Sequence, residues 1–193
     1  MEKLEKIMKR GTIIVISGPS GGGKTTISDY VLNKYKDIQR LVTHTTRPRR
    51  NNEVNGQDYH FIERDFFESL IEQNAFFEHA ENYGNLYGSL RKDVQNLRYS
   101  GKHVLFTIDV KGFLELKRRE EILGIFVSTG SYEALESRMR NRGDSEEDIA
   151  KRMVICKGFE VPALTKFDYF VNNDFLSNAR LKIDEILAEN GLA

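Results

Sequence analysis

Residues 18–25 read Gly-Pro-Ser-Gly-Gly-Gly-Lys-Thr, a set of residue types and a spacing that suit phosphate binding. The glycines can adopt backbone angles that are closed to other residues, so successive amides can turn toward phosphate oxygens at a helix start. Lys24 would add a positive charge on the outer phosphates, and the Thr25 hydroxyl would ligate Mg²⁺. The predicted phosphate-binding residues are Gly18, Pro19, Ser20, Gly21, Gly22, Gly23, Lys24, Thr25 and Thr26.

The neighbours of this loop decide between two interpretations. The apolar run Thr12–Ser17 precedes it and predicts a strand, and Lys24–Tyr35 follows with a pattern typical of a helix. A glycine-rich turn that merely opens a helix is the alternative. The four glycines, the Lys-Thr pair and the preceding strand together favour a nucleotide phosphate site.

A second cluster of basic residues lies at 47–50, where Arg-Pro-Arg-Arg places three arginines within four residues. Arginines held by a proline can form a planar clamp for a second phosphate. A solvated basic turn is the alternative. The hydroxyls at 43–46 and the nearby Tyr59 favour an anion site.

The string Thr43–Phe61 resembles the GMP-binding segment of the guanylate kinase family, whose pattern is roughly S-x-T-T-R-x-x-R-x-x-E-x-x-G-x-D-Y-x-F. With the glycine-rich loop, the resemblance extends over about Gly11–Glu189. It implies transfer of a phosphoryl group from MgATP to GMP (dGMP included), with Mg²⁺ as cofactor and ATP as co-substrate.

The resemblance also implies roles for individual residues. It implies that the GMP phosphate is held by Arg47, Arg50, Tyr59 and Tyr87. It implies that the guanine is read or positioned by Thr43, Glu78, Ser89 and Asp109. It makes Arg138, Arg142 and Arg152 the arginines of a closing flap, and it places Asn173 near the ATP adenine. The predicted catalytic residues are Lys24, Arg47, Arg138, Arg142 and Arg152.

Elementary chemistry bears on three of these roles. A carboxylate such as Glu78 can accept hydrogen bonds from both N1–H and the 2-amino group of guanine, although an exposed strand glutamate is the alternative. Asp109 follows an apolar run, and is either an outer partner of Mg²⁺, a base contact, or the cap of the next helix. Arg138 and Arg142 are four residues apart and share a helix face. That face either serves catalysis or is solvated and paired with Glu133 and Glu136.

Three positions depart from the family pattern. Thr43 stands where serine is usual, and it keeps the hydroxyl. Thr107 stands where a carboxylate is usual, two residues before Asp109, which puts a two-carboxylate arrangement in doubt. Asn172 replaces a usual aliphatic residue near the expected adenine pocket.

Apolar strand-like runs alternate with amphipathic helix-like runs along the chain, which predicts an α/β fold with helices on both faces of a parallel sheet. The predicted strands are Thr12–Ser17, Arg40–Thr43, His103–Asp109, Ile122–Ser128 and Phe167–Asn172. The predicted helices are Lys24–Tyr35, Ser89–Ser100, Lys111–Arg119, Tyr132–Asn141, Glu146–Gly158 and Phe175–Glu189.

We expect one domain over residues 11–190. Its parts are a core (11–41, 101–130 and 158–193), a small inserted, mixed α/β GMP-binding lobe (42–100) and a helical lid (131–157). Within the lid, Ser145 or Asp144 is expected to cap the second helix.

Composition excludes several classes of function. Lys plus Arg and Asp plus Glu both number 29, so the net charge is zero, unlike that of a non-specific nucleic-acid binder. No 18-residue apolar stretch exists, so no membrane partner is expected. The one cysteine excludes an intramolecular disulfide and favours a cytoplasmic location. Met1–Arg10 is charged and helical in pattern, without a signal peptide's apolar core.

Two rival functions remain open. Related folds phosphorylate other small acceptors, such as sugar phosphates. Domains that resemble guanylate kinases also serve as non-catalytic protein-binding modules, but these typically lose the phosphate loop, whereas Lys24 and Thr25 are present here. The sequence predicts no oligomeric state.

Overall fold

The computed structural model describes residues 10–51, 53–82 and 84–193, which form two compact units. The first unit comprises the described residues up to Thr12 together with Gln39–Val104, and the second comprises Ile13–Ile38 and Leu105–Ala193. The predicted lobe therefore falls inside the first unit and the predicted lid inside the second, while the predicted core segments are divided between both. Apart from Arg10, the helix predicted at the N-terminus lies outside the described residues.

The strands, in chain order, are β1 (Ile13–Ser17), β2 (Ile38–Arg40), β3 (His44–Thr45), β4 (His60–Phe61), β5 (Phe76–Asn82), β6 (Asn85–Leu90), β7 (His103–Thr107), β8 (Ile122–Ser128) and β9 (Tyr169–Asn172). The α-helices are α1 (Lys24–Lys34), α2 (Arg64–Glu72), α3 (Arg91–Tyr99), α4 (Val110–Lys117), α5 (Tyr132–Arg142), α6 (Glu146–Ile155) and α7 (Leu176–Glu189). After α6 come a π-helix, Cys156–Glu160, and a 3₁₀-helix, Pro162–Lys166.

Five strands form a sheet in the order β2-β7-β1-β8-β9. Strand β8 runs parallel to both β1 and β9, with Ser17 opposite Phe126. Every residue of β1 and β8 is buried, as is typical of parallel strands covered on both faces. The predicted parallel α/β sheet is confirmed.

Successive residues of β8 point to opposite faces of the sheet, so both faces present apolar side chains. Helices cover both faces. On one face, Ile125 and Val127 pack in a cluster with Ile27 of α1 and Ile183 of α7. On the other face, Phe126 packs with residues of α4 and of the 3₁₀-helix. Helix α1 is thereby fixed against the sheet directly after the glycine-rich loop.

The first unit contains a four-stranded sheet in the order β4-β3-β6-β5. Strand β3 is parallel to β4 and antiparallel to β6, which is antiparallel to β5. Phe67 of α2 is fully buried and stacks on Phe76 of β5, with 4.3 Å between ring centroids. This part of the chain is a small mixed α/β lobe, as predicted.

Several predicted boundaries are wrong. Sequence reasoning missed α2, although Phe66, Phe67, Leu70 and Ile71 follow helical spacing. The strand predicted at Arg40–Thr43 lies earlier in the chain, as β2 (Ile38–Arg40). The reason is that Ile38 is buried in the hydrophobic core. The helix predicted from Ser89 begins at Arg91, since Ser89 and Leu90 belong to β6.

The helix predicted over Glu146–Gly158 is divided. Its α-helical part ends at Ile155, and the π-helix continues to Glu160. Ser145 caps α6, its hydroxyl accepting a hydrogen bond from the Asp148 amide at 3.1 Å. Among the helices that the structure describes, none combines the length and the apolar character that a membrane crossing requires.

Candidate active site

Steric constraints require glycine at two or more positions of the loop between β1 and α1. Gly18 and Gly23 have φ angles of 136° and 91°, which side-chain-bearing residues rarely adopt. A Cβ atom at Gly18 would also lie 2.2 Å from the carbonyl oxygen of Val127 in β8. Helix α1 begins after Gly23 without a side-chain cap, so its first amides have no partner within the helix and are available to an anion.

The side chain of Lys24 folds back onto the loop that precedes it. Its Nζ donates hydrogen bonds to the carbonyl oxygens of Gly18 and Pro19, at 2.7 and 2.9 Å. Burial lowers the pKa of Lys24, while the charges of Glu160 and Asp109 act in the opposite direction. Because charged phosphate oxygens are stronger acceptors than carbonyls, they would compete for this ammonium.

Asn173, predicted near the adenine, is buried beneath the loop. Its side-chain amide donates a hydrogen bond to the carbonyl oxygen of Gly22 at 2.9 Å. A Cβ atom at Gly23 would lie 2.1 Å from the same amide nitrogen. Asn173 therefore helps to set the loop's shape, and its contact with adenine stays a prediction.

The three flap arginines converge on the loop region. Nη2 of Arg142 and Nη1 of Arg152 donate to the Ser20 hydroxyl oxygen, at 3.1 and 3.3 Å. Nη2 of Arg138 donates to the carbonyl oxygen of Asn173 at 2.7 Å. The second unit thus gathers Lys24 and three guanidinium groups around residues 18–25.

Arg140, on the same helix α5, provides the contrast. It pairs with Glu136 at 3.5 Å and with Glu146 at 2.6 Å, away from the loop. Arg140 thus has the pairing with Glu136 that the solvated alternative described for its neighbours. Arg142 is also exposed, so its catalytic role stays a prediction. Arg142 also pairs with Asp144, a contact inside the α5–α6 connection.

Asp109 is a helix cap: its carboxylate accepts a hydrogen bond from the Gly112 amide at 2.7 Å, at the start of α4. It also acts electrostatically on Lys24, so the capping role does not remove it from the site. Thr107, where the family usually has a carboxylate, shares a 2.7 Å hydrogen bond with the Ser28 hydroxyl on α1. A hydroxyl pair thus occupies that position.

The arginine-rich turn of the first unit is organised by Glu53. Its Oε1 accepts from Nη2 of Arg47 at 2.6 Å, and its Oε2 accepts from the Arg50 amide at 2.8 Å. The Arg47 guanidinium lowers the pKa of Glu53. The guanidinium of Arg47 lies 5.5 Å from the ring centroid of Tyr59.

The two predicted tyrosines are neighbours. The rings of Tyr59 and Tyr87 meet edge to face, with 6.0 Å between centroids. The Tyr87 hydroxyl also contributes to the raised pKa of Arg47, behind the larger effect of Glu53. Three of the four residues predicted to hold the GMP phosphate therefore form one group, while the Arg50 side chain is exposed.

Two of the residues predicted to read guanine in this unit lie on adjacent strands. Glu78 in β5 is half-buried and sits opposite Ser89 in β6, next to a register irregularity at Phe76. Ser89 is 1% exposed, and its Oγ has no hydrogen-bond partner within the described ranges. The carbonyl oxygen of Thr43 accepts from the His60 amide at 2.9 Å, which ties its segment to β4.

Sequence reasoning missed two carboxylates. Glu53 is visible in the sequence as the glutamate of the GMP-segment pattern, but its role as the partner of Arg47 was not inferred. Glu160 carries no sequence signal, because its placement depends on the π-helix after α6. Glu53 accepts a hydrogen bond from Arg47, and the charge of Glu160 acts to raise the pKa of Lys24, against the larger effect of burial. Arg47 and Lys24 are both predicted site residues.

Comparisons with known proteins identify the family. The guanylate kinase family model matches residues 10–190. This chain belongs to the guanylate kinase family. The predicted resemblance is thereby confirmed, and it covers both units.

Individual guanylate kinases show the same similarity. The chain is 44% identical to one from a Nostoc species, covering 86% of this chain and 84% of the relative. It is 37% identical to one from Neisseria gonorrhoeae, covering 89% and 84%. The crystal structure of guanylate kinase from Anaplasma phagocytophilum matches with a TM-score of 0.73 at 28% identity, covering 97% of this chain and 90% of that one.

Proposed function

We propose that the chain transfers the γ-phosphoryl group of ATP to GMP, and to dGMP, forming ADP and the diphosphate. The observation that carries this proposal is the arrangement at residues 18–25, where Lys24 and three flap arginines surround a loop built for phosphates. Membership of the guanylate kinase family supports it.

Catalysis in this proposal comes from alignment and charge. The attacking group is a phosphate oxygen of GMP, which is already ionised at neutral pH, so no strong general base is needed. Lys24, Arg138, Arg142 and Arg152 neutralise charge that develops on the transferred group and the leaving ADP. Residues 18–26 bind the ATP phosphates, with Asn173 supporting them.

The first unit supplies the acceptor site. Arg47, Arg50, Tyr59 and Tyr87 bind the GMP phosphate, and Glu53 holds Arg47 in place. Arg47 counts among the catalytic residues because it contacts the attacking phosphate. Guanine is read by a set that includes the Glu78 carboxylate and the Ser89 hydroxyl, with Thr43 and Asp109 as the further members.

The donors present fit Mg²⁺. The described residues contain no group of three or more His, Cys, Asp or Glu side chains that could hold a metal ion by themselves. Mg²⁺ does not need one, because it usually keeps several waters and takes the rest of its ligands from phosphates. The exposed Thr25 hydroxyl, in the first turn of α1, would be the protein ligand. Bound Mg²⁺ would neutralise phosphate charge.

The proposed domain division is a core (11–41, 101–130, 158–193), a GMP-binding lobe (42–100) and a lid (131–157). We propose a cytoplasmic location. The single, buried Cys156 supports it, because disulfides are typical of oxidising compartments and one cysteine cannot form a disulfide within the chain. Burial raises the pKa of this thiol to about 11, consistent with a packing residue.

A coupled assay that follows ADP formation, with GMP, dGMP, AMP, UMP and CMP as acceptors, tests the proposal. We expect turnover with GMP and dGMP and little with the others. Turnover with a different acceptor would favour the related-kinase alternative. ATP and GMP binding by calorimetry without any turnover would favour the non-catalytic module.

A further inference from the structure

The connection between α5 and α6 carries one carboxylate, Asp144, whose backbone is fixed on both sides. At the end of α5, Gly143 has a φ angle of 92°, and the Asp144 amide donates a hydrogen bond to the carbonyl oxygen of Met139 at 3.1 Å. This bond satisfies a carbonyl in the last turn of the helix. The next residue, Ser145, caps α6. The capping role that the sequence left open between the two residues falls to Ser145, so the Asp144 carboxylate serves other partners.

Those partners are two of the flap arginines. Oδ1 of Asp144 accepts a hydrogen bond from Nε of Arg142 at 3.0 Å, and Oδ2 accepts one from Nη2 of the same guanidinium group. Nε of Arg152 lies 3.9 Å from Oδ2, which makes an ion pair. The hydrogen bond with Arg142 lowers the pKa of Asp144, so the carboxylate is charged at neutral pH. One carboxylate thus contacts an arginine of α5 and an arginine of α6.

The same two guanidinium groups meet at Ser20 of the glycine-rich loop. Its hydroxyl oxygen accepts from Nη2 of Arg142 at 3.1 Å and from Nη1 of Arg152 at 3.3 Å. Two positive charges at one oxygen repel each other, and a carboxylate that contacts both offsets this repulsion. The side chain of Arg142 is also 53% exposed. Because a long exposed side chain samples many rotamers, two hydrogen bonds to one carboxylate restrict it considerably.

We infer that Asp144 is a positioning residue, which holds the guanidinium groups of Arg142 and Arg152 together at Ser20 before nucleotide phosphates bind there. The inference rests on the proposed phosphoryl transfer, in which both arginines neutralise developing charge. Cations that are already in place stabilise that charge without having to be reoriented during the reaction. The contact of Asp144 with the arginines would then contribute to the rate more than to the affinity for either nucleotide.

Two substitutions of Asp144 and one control separate this role from that of a surface ion pair. Asp144→Asn keeps the size and loses the charge, whereas Asp144→Glu keeps the charge. Glu146→Gln is the matched control at the start of α6, because Glu146 pairs with Arg140 at 2.6 Å. One readout is kcat with ATP and GMP. The other is the exchange of the Arg142 Nε–H with water, followed by NMR in the nucleotide-free protein, with Arg142→Lys to identify the signal.

For Asp144→Asn we expect kcat to fall about tenfold with little change in the KM for GMP, because preorganisation of the cations is lost. Exchange of the Arg142 Nε–H should become faster. The dissociation constant of ATP should not rise, since removal of a negative charge beside the loop favours anion binding. Asp144→Glu should retain kcat within about threefold of wild type. Glu146→Gln should alter the Arg140 signal and leave kcat unchanged.

A double-mutant cycle shows which group Asp144 acts through. In an Arg142→Ala background, Asp144→Asn should lower kcat only about two- to threefold, through Arg152. A tenfold loss in both backgrounds would overturn the inference. So would an unchanged kcat in Asp144→Asn, which is the result expected of a surface ion pair. A wild-type protein without GMP turnover would overturn the proposed function instead. In that case the exchange of the Arg142 Nε–H still decides, because an unchanged rate in Asp144→Asn would show that Asp144 does not hold Arg142.

Discussion

The side-chain amide of Asn173 donates a hydrogen bond to the carbonyl oxygen of Gly22 at 2.9 Å, across 151 residues of sequence. Because Asn173 is buried, the residue after β9 supports the loop after β1 from below. Loss of this bond would leave a buried carbonyl without that donor.

Asn173→Ala should therefore lower the free energy of unfolding by about 1–3 kcal/mol and weaken ATP binding, with GMP binding unchanged. Calorimetric titration of each nucleotide and thermal unfolding measure these effects. Asn178→Ala, at an exposed position of α7, is the control. ATP affinity equal to that of wild type would show that the loop holds its shape without Asn173.

Lys24→Ala should keep the fold and lose most activity. Removing an electrostatic stabiliser from the reacting groups should lower kcat by roughly 100-fold or more. Steady-state turnover, with circular dichroism to verify folding, checks the result. Lys151→Ala, an exposed lysine on α6, should leave kcat unchanged. A folded Lys24→Ala protein with activity within a few-fold of wild type would contradict the assignment of the loop.

Arg142→Ala should reduce kcat more than it weakens GMP binding, because Arg142 contacts the loop at Ser20. An interaction made mainly in the reacting complex lowers kcat and kcat/KM together. We expect at least about a tenfold loss in kcat. Arg140→Ala is the matched control on the same helix, since Arg140 pairs with glutamates instead. Equal effects of the two substitutions on kcat would show that Arg142 is a solvated surface residue without a catalytic role of its own.

Glu78→Gln should raise the KM for GMP and narrow the preference for GMP over AMP. A site built on matched, buried hydrogen bonds can discriminate by about 10⁴, and the substitution removes the charge that accepts from guanine. ATP affinity should stay nearly the same. Steady-state kinetics with both acceptors measure the ratio. A ratio like that of wild type would mean that guanine is read elsewhere, for example by Ser89 or Asp109.

Lowering the pH should reduce the free energy of unfolding of the first unit, because of His44. Its ring stacks on that of His60, with 4.6 Å between centroids, and its buried Nδ1 has no hydrogen-bond partner in the described ranges. Burial, and then the charge of His60, lowers the pKa of His44 from 6.5, while Asp93 opposes the shift. The unfolded chain therefore takes up this proton at higher pH than the folded protein, so stability falls as pH drops below about 6.5.

Unfolding temperatures measured between pH 7.5 and pH 5 test this effect. His44→Gln should lose less stability over that interval than wild type does. His79→Gln, at an exposed position of β5, should behave as wild type. An identical pH dependence in His44→Gln and wild type would show that other groups govern the acid response.

The sequence by itself determined the family and the α/β fold, and it predicted the phosphate-binding role of the loop. Residues 18–25 and 43–61 carry their chemistry in contiguous strings, so local spacing was enough to predict a phosphate loop and an arginine turn. The strand Ile122–Ser128 was predicted at its observed bounds because strands buried on both faces are continuously apolar.

Only the tertiary structure decided which groups act on one another over long separations. The contacts of Asn173 with Gly22 and of Arg142 with Ser20 join residues more than a hundred positions apart, and helical spacing alone did not separate Arg142 from Arg140. Glu160 shows the reason most clearly. It lies on one widened turn after α6, and the spacing of apolar residues did not predict that turn, because it predicted a continuous helix to Gly158.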